Sequence, residues 1–128
     1  MECNVTLKKI DLLTGEETIL SQGTGHLNGT CLTYLEQEDP NLRHEITFEE
    51  NHVFLNRFAY TLSETDLRVM EYSMARVLSA YGTMLLETYL EEYARLEDSF
   101  SIIYQVLQEG NIVTRQQLIW SLKGVADE

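Results

Sequence analysis

Polar and apolar residues alternate with period two through several stretches of this chain. Leu42, His44, Ile46 and Phe48 point one way while Arg43, Glu45, Thr47 and Glu49 point the other, as in a strand with one buried and one wetted face. Residues 52–60 read similarly, with Phe54, Phe58 and Tyr60 on one row, and residues 112–122 put Ile112, Leu118, Trp120 and Leu122 on one row with Arg115 and Gln117 opposite. Residues 100–107 are apolar on both faces and rich in strand formers, which predicts a central strand covered on each side. Turn signals such as Thr14-Gly15, Asn28-Gly29, Asp39-Pro40-Asn41, Glu50-Asn51 and Gly110-Asn111 punctuate these stretches as in an all-β sandwich or barrel. Asn28-Gly29 is the strongest of them, because a type I′ turn needs positive φ at both central positions; it predicts a hairpin joining 19–27 to 30–36.

One region carries a different period. From 66 to 96, Leu67, Met70, Met74, Val77, Leu78, Tyr81, Leu85, Tyr89, Tyr93 and Leu96 recur three or four apart among good helix formers, the pattern of an amphipathic helix. Against a helix stand Gly82, which costs about 1 kcal/mol in a helix interior, and a local alternation of Arg68, Met70, Tyr72 and Met74 with Leu67, Val69, Glu71 and Ser73. Two architectures follow: an all-β sandwich or barrel, or an α+β fold with a helix within 66–96 packed on an antiparallel sheet.

Composition narrows function more than fold. The 128 residues suit one core, and no linker, repeat or low-complexity tract divides them, so a single domain over 1–128 is expected. Nine Lys and Arg stand against 21 Asp and Glu, a net charge of −12 that repels phosphate backbones and anionic lipid. Neither nucleic acid nor a membrane surface is an expected partner. The first residues lack the apolar run of a secretion signal, so a cytoplasmic location is expected, with Cys3 and Cys31 as free thiols and the two Asn-x-Thr sequons as chance matches.

The run Ser79-Ala80-Tyr81-Gly82-Thr83-Met84-Leu85-Leu86-Glu87-Thr88-Tyr89 resembles the (Thr-Pro)-Tyr-Gly-Thr segment of the YwiB-like family of bacterial β-barrel proteins, placed in the lipocalin-like (calycin-like) superfamily. Ile102-Ile103-Tyr104-Gln105-Val106-Leu107, the Glu109-Gly110-Asn111 turn and Gln117-Leu118-Ile119-Trp120-Ser121-Leu122 are similar in order and spacing to that family's closing hairpin. A weaker likeness spans nearly the whole chain, including Gly23-Thr24-Gly25; Ala80 stands where the family has Pro. The resemblance implies an antiparallel up-and-down barrel of roughly 8–10 strands. It implies no activity, because none is established for the family.

Catalytic and cofactor signatures are absent. Gly23-Thr24-Gly25-His26-Leu27-Asn28-Gly29 has the wrong spacing for a dinucleotide loop and runs into a hairpin rather than a helix N-terminus, so its glycines read as close strand approach. His26, His44 and His52 lack metal-ligand spacing, and the acidic clusters lack the order of a calcium loop; no metal and no cofactor is expected. Three polar residues fall on otherwise apolar rows: His44, Asn56 and Gln116. Facing a lumen, they would bond to one another, to ordered water or to a ligand. With walls from Tyr60, Tyr72, Tyr81, Tyr104 and Trp120 they would make a small-molecule pocket at a barrel mouth. The leading expectation is a non-catalytic barrel that either binds a small, largely apolar ligand or serves a housekeeping role with no signature in the sequence. The alternatives are an interaction module or homodimer pairing through 85–93 or 99–107, and a small enzyme using His44 or a carboxylate pair.

Overall fold

The computed structural model describes residues 2–58 and 61–124, and over them the chain is all-β. Ten antiparallel strands follow one another: β1 (Glu2–Asp11), β2 (Glu17–Asn28), β3 (Cys31–Glu36), β4 (Arg43–Glu49), β5 (His52–Phe58), β6 (Leu62–Arg68), β7 (Tyr72–Ser79), β8 (Gly82–Arg95), β9 (Ser99–Gln108) and β10 (Asn111–Gly124). Each pairs with its neighbours in sequence, and β1 pairs with β10 to close an up-and-down barrel. Closure removes the free edges that an open sheet would leave for aggregation. No helix among the described residues is long and apolar enough to cross a membrane.

The all-β expectation holds, and the helix within 66–96 of the α+β alternative is not formed; the segment supplies β6, β7 and most of β8. Its apolar stripe is split between two surfaces. Leu67 and Leu90 are fully buried in the barrel, whereas Met70, Tyr81, Leu85 and Leu96 are more than half exposed. Period-two neighbours bury the positions that matter, so tertiary pairing overrides helix propensity. The β6–β7 ladder stops at Thr65 and Ala75. Beyond it the Thr88 hydroxyl, itself fully buried, donates to the Asp66 carbonyl at 2.9 Å, and the Met70 N–H donates to the Leu90 carbonyl at 2.8 Å. These bonds draw the end of β6 directly onto β8.

Cross-strand partners share a face of the sheet, so the register tells which residues enter the barrel. Phe48 pairs with Val53, Ile46 with Leu55 and His44 with Arg57. The inward row of β5 is thus Val53, Leu55 and Arg57, and the expected row of Phe54 and Phe58, with Asn56 between them, lies outside. Tyr60 lies outside the described residues. The tight turn at Glu50-Asn51, with Asn51 at φ 61°, sets this phase, which alternation alone could not decide because both rows of β5 contain apolar residues. In β10 a bulge between Ile112 and Thr114 drops Ile112 from the inward row, which runs Thr114, Gln116, Leu118, Trp120 and Leu122.

Up-and-down strands gather the starts of odd strands and the ends of even ones at the same end of the barrel. There Leu32, Phe48, Val53, Leu67, Phe100 and Leu122 form a packed apolar core. Phe48 and Phe100 stack across it, 3.8 Å between ring centroids, and Trp120 meets Phe48 edge-on at 5.6 Å. Each buried aromatic contributes roughly 1.5–3 kcal/mol. Outside the barrel, at the β8 bulge, Glu91 accepts from both Arg115 Nε (2.8 Å) and Nη2 (3.0 Å) and from Gln105, tying β8, β9 and β10 together. The Arg115 hydrogen bonds hold the Glu91 carboxyl below the usual range.

The β2–β3 hairpin forms as expected, with its turn one residue later. Asn28 pairs with Cys31, so Gly29 and Thr30 are central, and only Gly29 takes positive φ (62°). That is the type II′ arrangement, which spares the β-branched Thr30 a left-handed conformation. Behind the turn, β2 lies so tightly on β3 that a Cβ at Gly25 would stand 1.9 Å from the Thr33 carbonyl oxygen and 2.6 Å from Tyr34 Cβ. Gly25→Ala is expected to cost roughly 2–4 kcal/mol by strand displacement, whereas Gly124→Ala, with nothing near its Cβ, changes stability by less than about 0.5 kcal/mol. Urea denaturation midpoints of the two variants measure the difference.

Candidate functional site

The end of the barrel opposite the aromatic stack is not filled. A cavity of about 290 Å³ opens there, walled by Leu7, Ile46, Leu55, Leu118 and Trp120. Its polar lining comes from Ser21, Glu36, His44, Arg57, Ser63 and Thr65, with Leu20 at the margin. The register explains the convergence: Tyr34 pairs with His44, His44 with Arg57, and Arg57 with Ser63, a polar belt running round β3 to β6. Gly23 and Glu36 pair across β2 and β3, which brings the Glu36 carboxylate to the same level.

Within the belt, His44 Nε2–H donates to Glu36 Oε1 at 2.8 Å, and both side chains are largely buried. The imidazole lies flat on the Tyr34 ring, 4.5 Å between centroids and 13° between planes. Burial lowers the His44 pKa from its ordinary 6.5; the Glu36 hydrogen bond and charge oppose this and Arg57 reinforces it. His44 is therefore a neutral ring at pH 7, held in one tautomer by Glu36. The Tyr34 hydroxyl exchanges a 2.7 Å hydrogen bond with Ser21, and burial pushes its pKa up to about 12. Ser21 is bonded to Tyr34 rather than to His44, so the cluster is not a Ser–His relay.

Two donors near the cavity lack a hydrogen-bond acceptor among the described residues, one shut off from solvent and one at the rim. Trp120 Nε1–H is the only buried side-chain polar atom among the described residues without a hydrogen bond; it stands near the Tyr34 hydroxyl and favours its ionised form without reaching good hydrogen-bond geometry. Arg57, exposed at the rim, makes no hydrogen bond or ion pair with any described residue, and its charge is felt by Tyr34 and His44.

Of the residues expected at a pocket, His44 and Trp120 line this cavity. Asn56 borders it from β5, but its cross-strand partners are the outward Glu45 and Glu64. Gln116 does face inward, yet it donates to the Tyr104 hydroxyl, a pair that lies apart from His44. Tyr104 is buried, which raises its pKa. Tyr81 sits fully exposed at the β7–β8 turn, and Tyr72 lies outside, its ring 4.9 Å from that of Tyr89. Glu36, Arg57, Ser21 and Tyr34 were not singled out from the sequence. Counting back from the Glu50-Asn51 turn pairs His44 with Arg57, so the hairpin register was the signal that could have found Arg57.

No family model and no curated protein matches the chain. Among solved structures, it is similar to the crystal structure of the YwiB protein from Bacillus subtilis, with a TM-score of 0.63 over 96% of this chain and 92% of that one. The two are 9% identical, so the likeness is one of fold.

The depressed His44 pKa has a consequence for stability. As the pH falls below 6.5, the unfolded chain takes up a proton on His44 that the folded chain resists, so folding weakens through that window; above it both states are neutral and the effect vanishes. An NMR titration is expected to place His44 below 6.5, and His44→Gln is expected to flatten the pH dependence of the melting temperature just under that value.

Proposed function

We propose that the protein is a non-catalytic barrel that binds a small, largely apolar molecule in its mouth cavity. The observation that supports this most is the division of the interior: one end is solid with stacked aromatics, while the other keeps about 290 Å³ walled by five apolar side chains. That volume lies at the lower end of the roughly 300–1,000 Å³ typical of ligand sites, and the few polar groups in it suit orientation rather than bulk binding. The absence of an activated nucleophile beside His44 among the described residues weighs against the enzyme reading. Kinship with YwiB-like, lipocalin-like barrels belongs to the same proposal and draws on the shared fold and on the Tyr81-Gly82-Thr83 run. A cytoplasmic location draws on the two unpaired cysteines.

n-Hexanol, benzyl alcohol and indole are expected to raise the melting temperature in proportion to occupancy. Leu55→Trp, which fills the cavity, is expected to abolish these shifts while leaving the β-sheet circular dichroism intact; shifts that survive it would place the binding elsewhere. A second reading, self-association, draws on Met70, Tyr72, Met74 and Leu85, all at least half exposed on β7, β8 and the turn before β7. It predicts a dimer mass in light scattering at micromolar concentration, reduced to monomer by Met74→Glu with Leu85→Glu.

A further inference from the structure

We infer that the mouth cavity selects an anion: a carboxylate carried on a small apolar body, anchored by Arg57. The inference rests on the ligand-binding reading above and adds the charge of the ligand's head group. It follows from which polar groups the fold leaves unspent. On one wall Glu36 is already engaged by His44, and Tyr34 by Ser21. On the other wall the guanidinium of Arg57 has no acceptor among the described residues, although the chain carries 21 acidic residues against nine basic ones and supplies carboxylates to Arg68, Arg76 and Arg115. With so many carboxylates available, an inward-row arginine without one stands out.

Two hydroxyls beside Arg57 can add donors, while the Glu36 carboxylate on the facing wall is turned to His44. Ser63 is its cross-strand partner and Thr65 lies one inward position further along β6; neither hydroxyl makes a hydrogen bond to a described residue, and both can donate. The indole of Trp120 adds an apolar wall to the same space. A cavity with a planar, permanently charged fork at its rim and two hydroxyl donors beside it is matched by a ligand head rich in acceptor oxygens. A carboxylate accepts two parallel N–H bonds from a guanidinium, and such charge-assisted pairs are about twice as strong as neutral ones. The apolar walls of Leu7, Leu55 and Leu118 then receive the rest of the molecule.

Matched probes test this. Hexanoate against n-hexanol, and benzoate against benzyl alcohol, are titrated calorimetrically into the full chain at pH 7 and low salt. The carboxylates are expected to bind roughly tenfold more tightly than their alcohols and to weaken with added salt. In Arg57→Gln that preference is expected to vanish with alcohol affinity unchanged, and Arg57→Lys to restore part of it; unchanged melting temperatures verify that both variants fold. Equal affinity of acid and alcohol for the native protein would overturn the anion inference while leaving the cavity as an apolar site. A preference that survives Arg57→Gln would overturn the assignment of the anchor. If no probe binds at all, the ligand-binding reading fails and this inference with it.

Discussion

The stacked pair of Phe48 and Phe100, capped edge-on by Trp120, is what makes this sheet a solid-bottomed vessel. Rings from β4, β9 and β10 meet across the barrel axis and exclude water from one end. The strands are continuous, so what happens above the stack follows from it. Climbing β4 from Phe48, the inward row passes through Ile46 to His44, and on β5 from Val53 through Leu55 to Arg57. Each row exchanges apolar for polar side chains at the level where the aromatic filling ends. Space is therefore left beside polar groups that water can still reach, and desolvation does not forbid them.

The placement of charge obeys the same gradient. Glu36 and His44 are the ionisable pair carried deepest, and they are joined by a hydrogen bond over an aromatic face, with the ring kept neutral by burial. Two arginine–carboxylate pairs, Glu91 with Arg115 and Glu64 with Arg76, stand outside the wall, where they link neighbouring strands without a large desolvation cost. The tight apposition of β2 and β3 at Gly23 and Gly25 serves the mouth as well. It draws Tyr34 across the glycine gap to Ser21, and Tyr34 is the surface on which His44 rests. A substitution in the glycine strand would thus reach the site through Tyr34.

Much of the architecture could be read from the order of residues. Alternation over 42–49, the hairpin near Gly29, the paired strands at the C-terminal end and the inward directions of His44, Gln116 and Trp120 all follow from a period of two, because side-chain direction in a strand is a local geometric consequence of the extended backbone. Local rules ran out where a pattern satisfied two periods, as in 66–96, or where both rows of a strand were apolar, as in β5. A helical stripe and a half-buried strand differ there only in which residues find neighbours, and those neighbours are far away in sequence.

The sequence by itself determined that this is an acidic, β-rich chain whose strands bury one face, since composition and alternation are properties of the chain alone. Only the tertiary structure decided the phase of β5, the bulge that shifts β10 by one residue, and hence which polar side chains meet at the mouth. The physical reason is that a single-residue slip in pairing exchanges the inside and outside of a whole strand. Register is set by turns, bulges and closure of β1 on β10, none of which any one segment encodes.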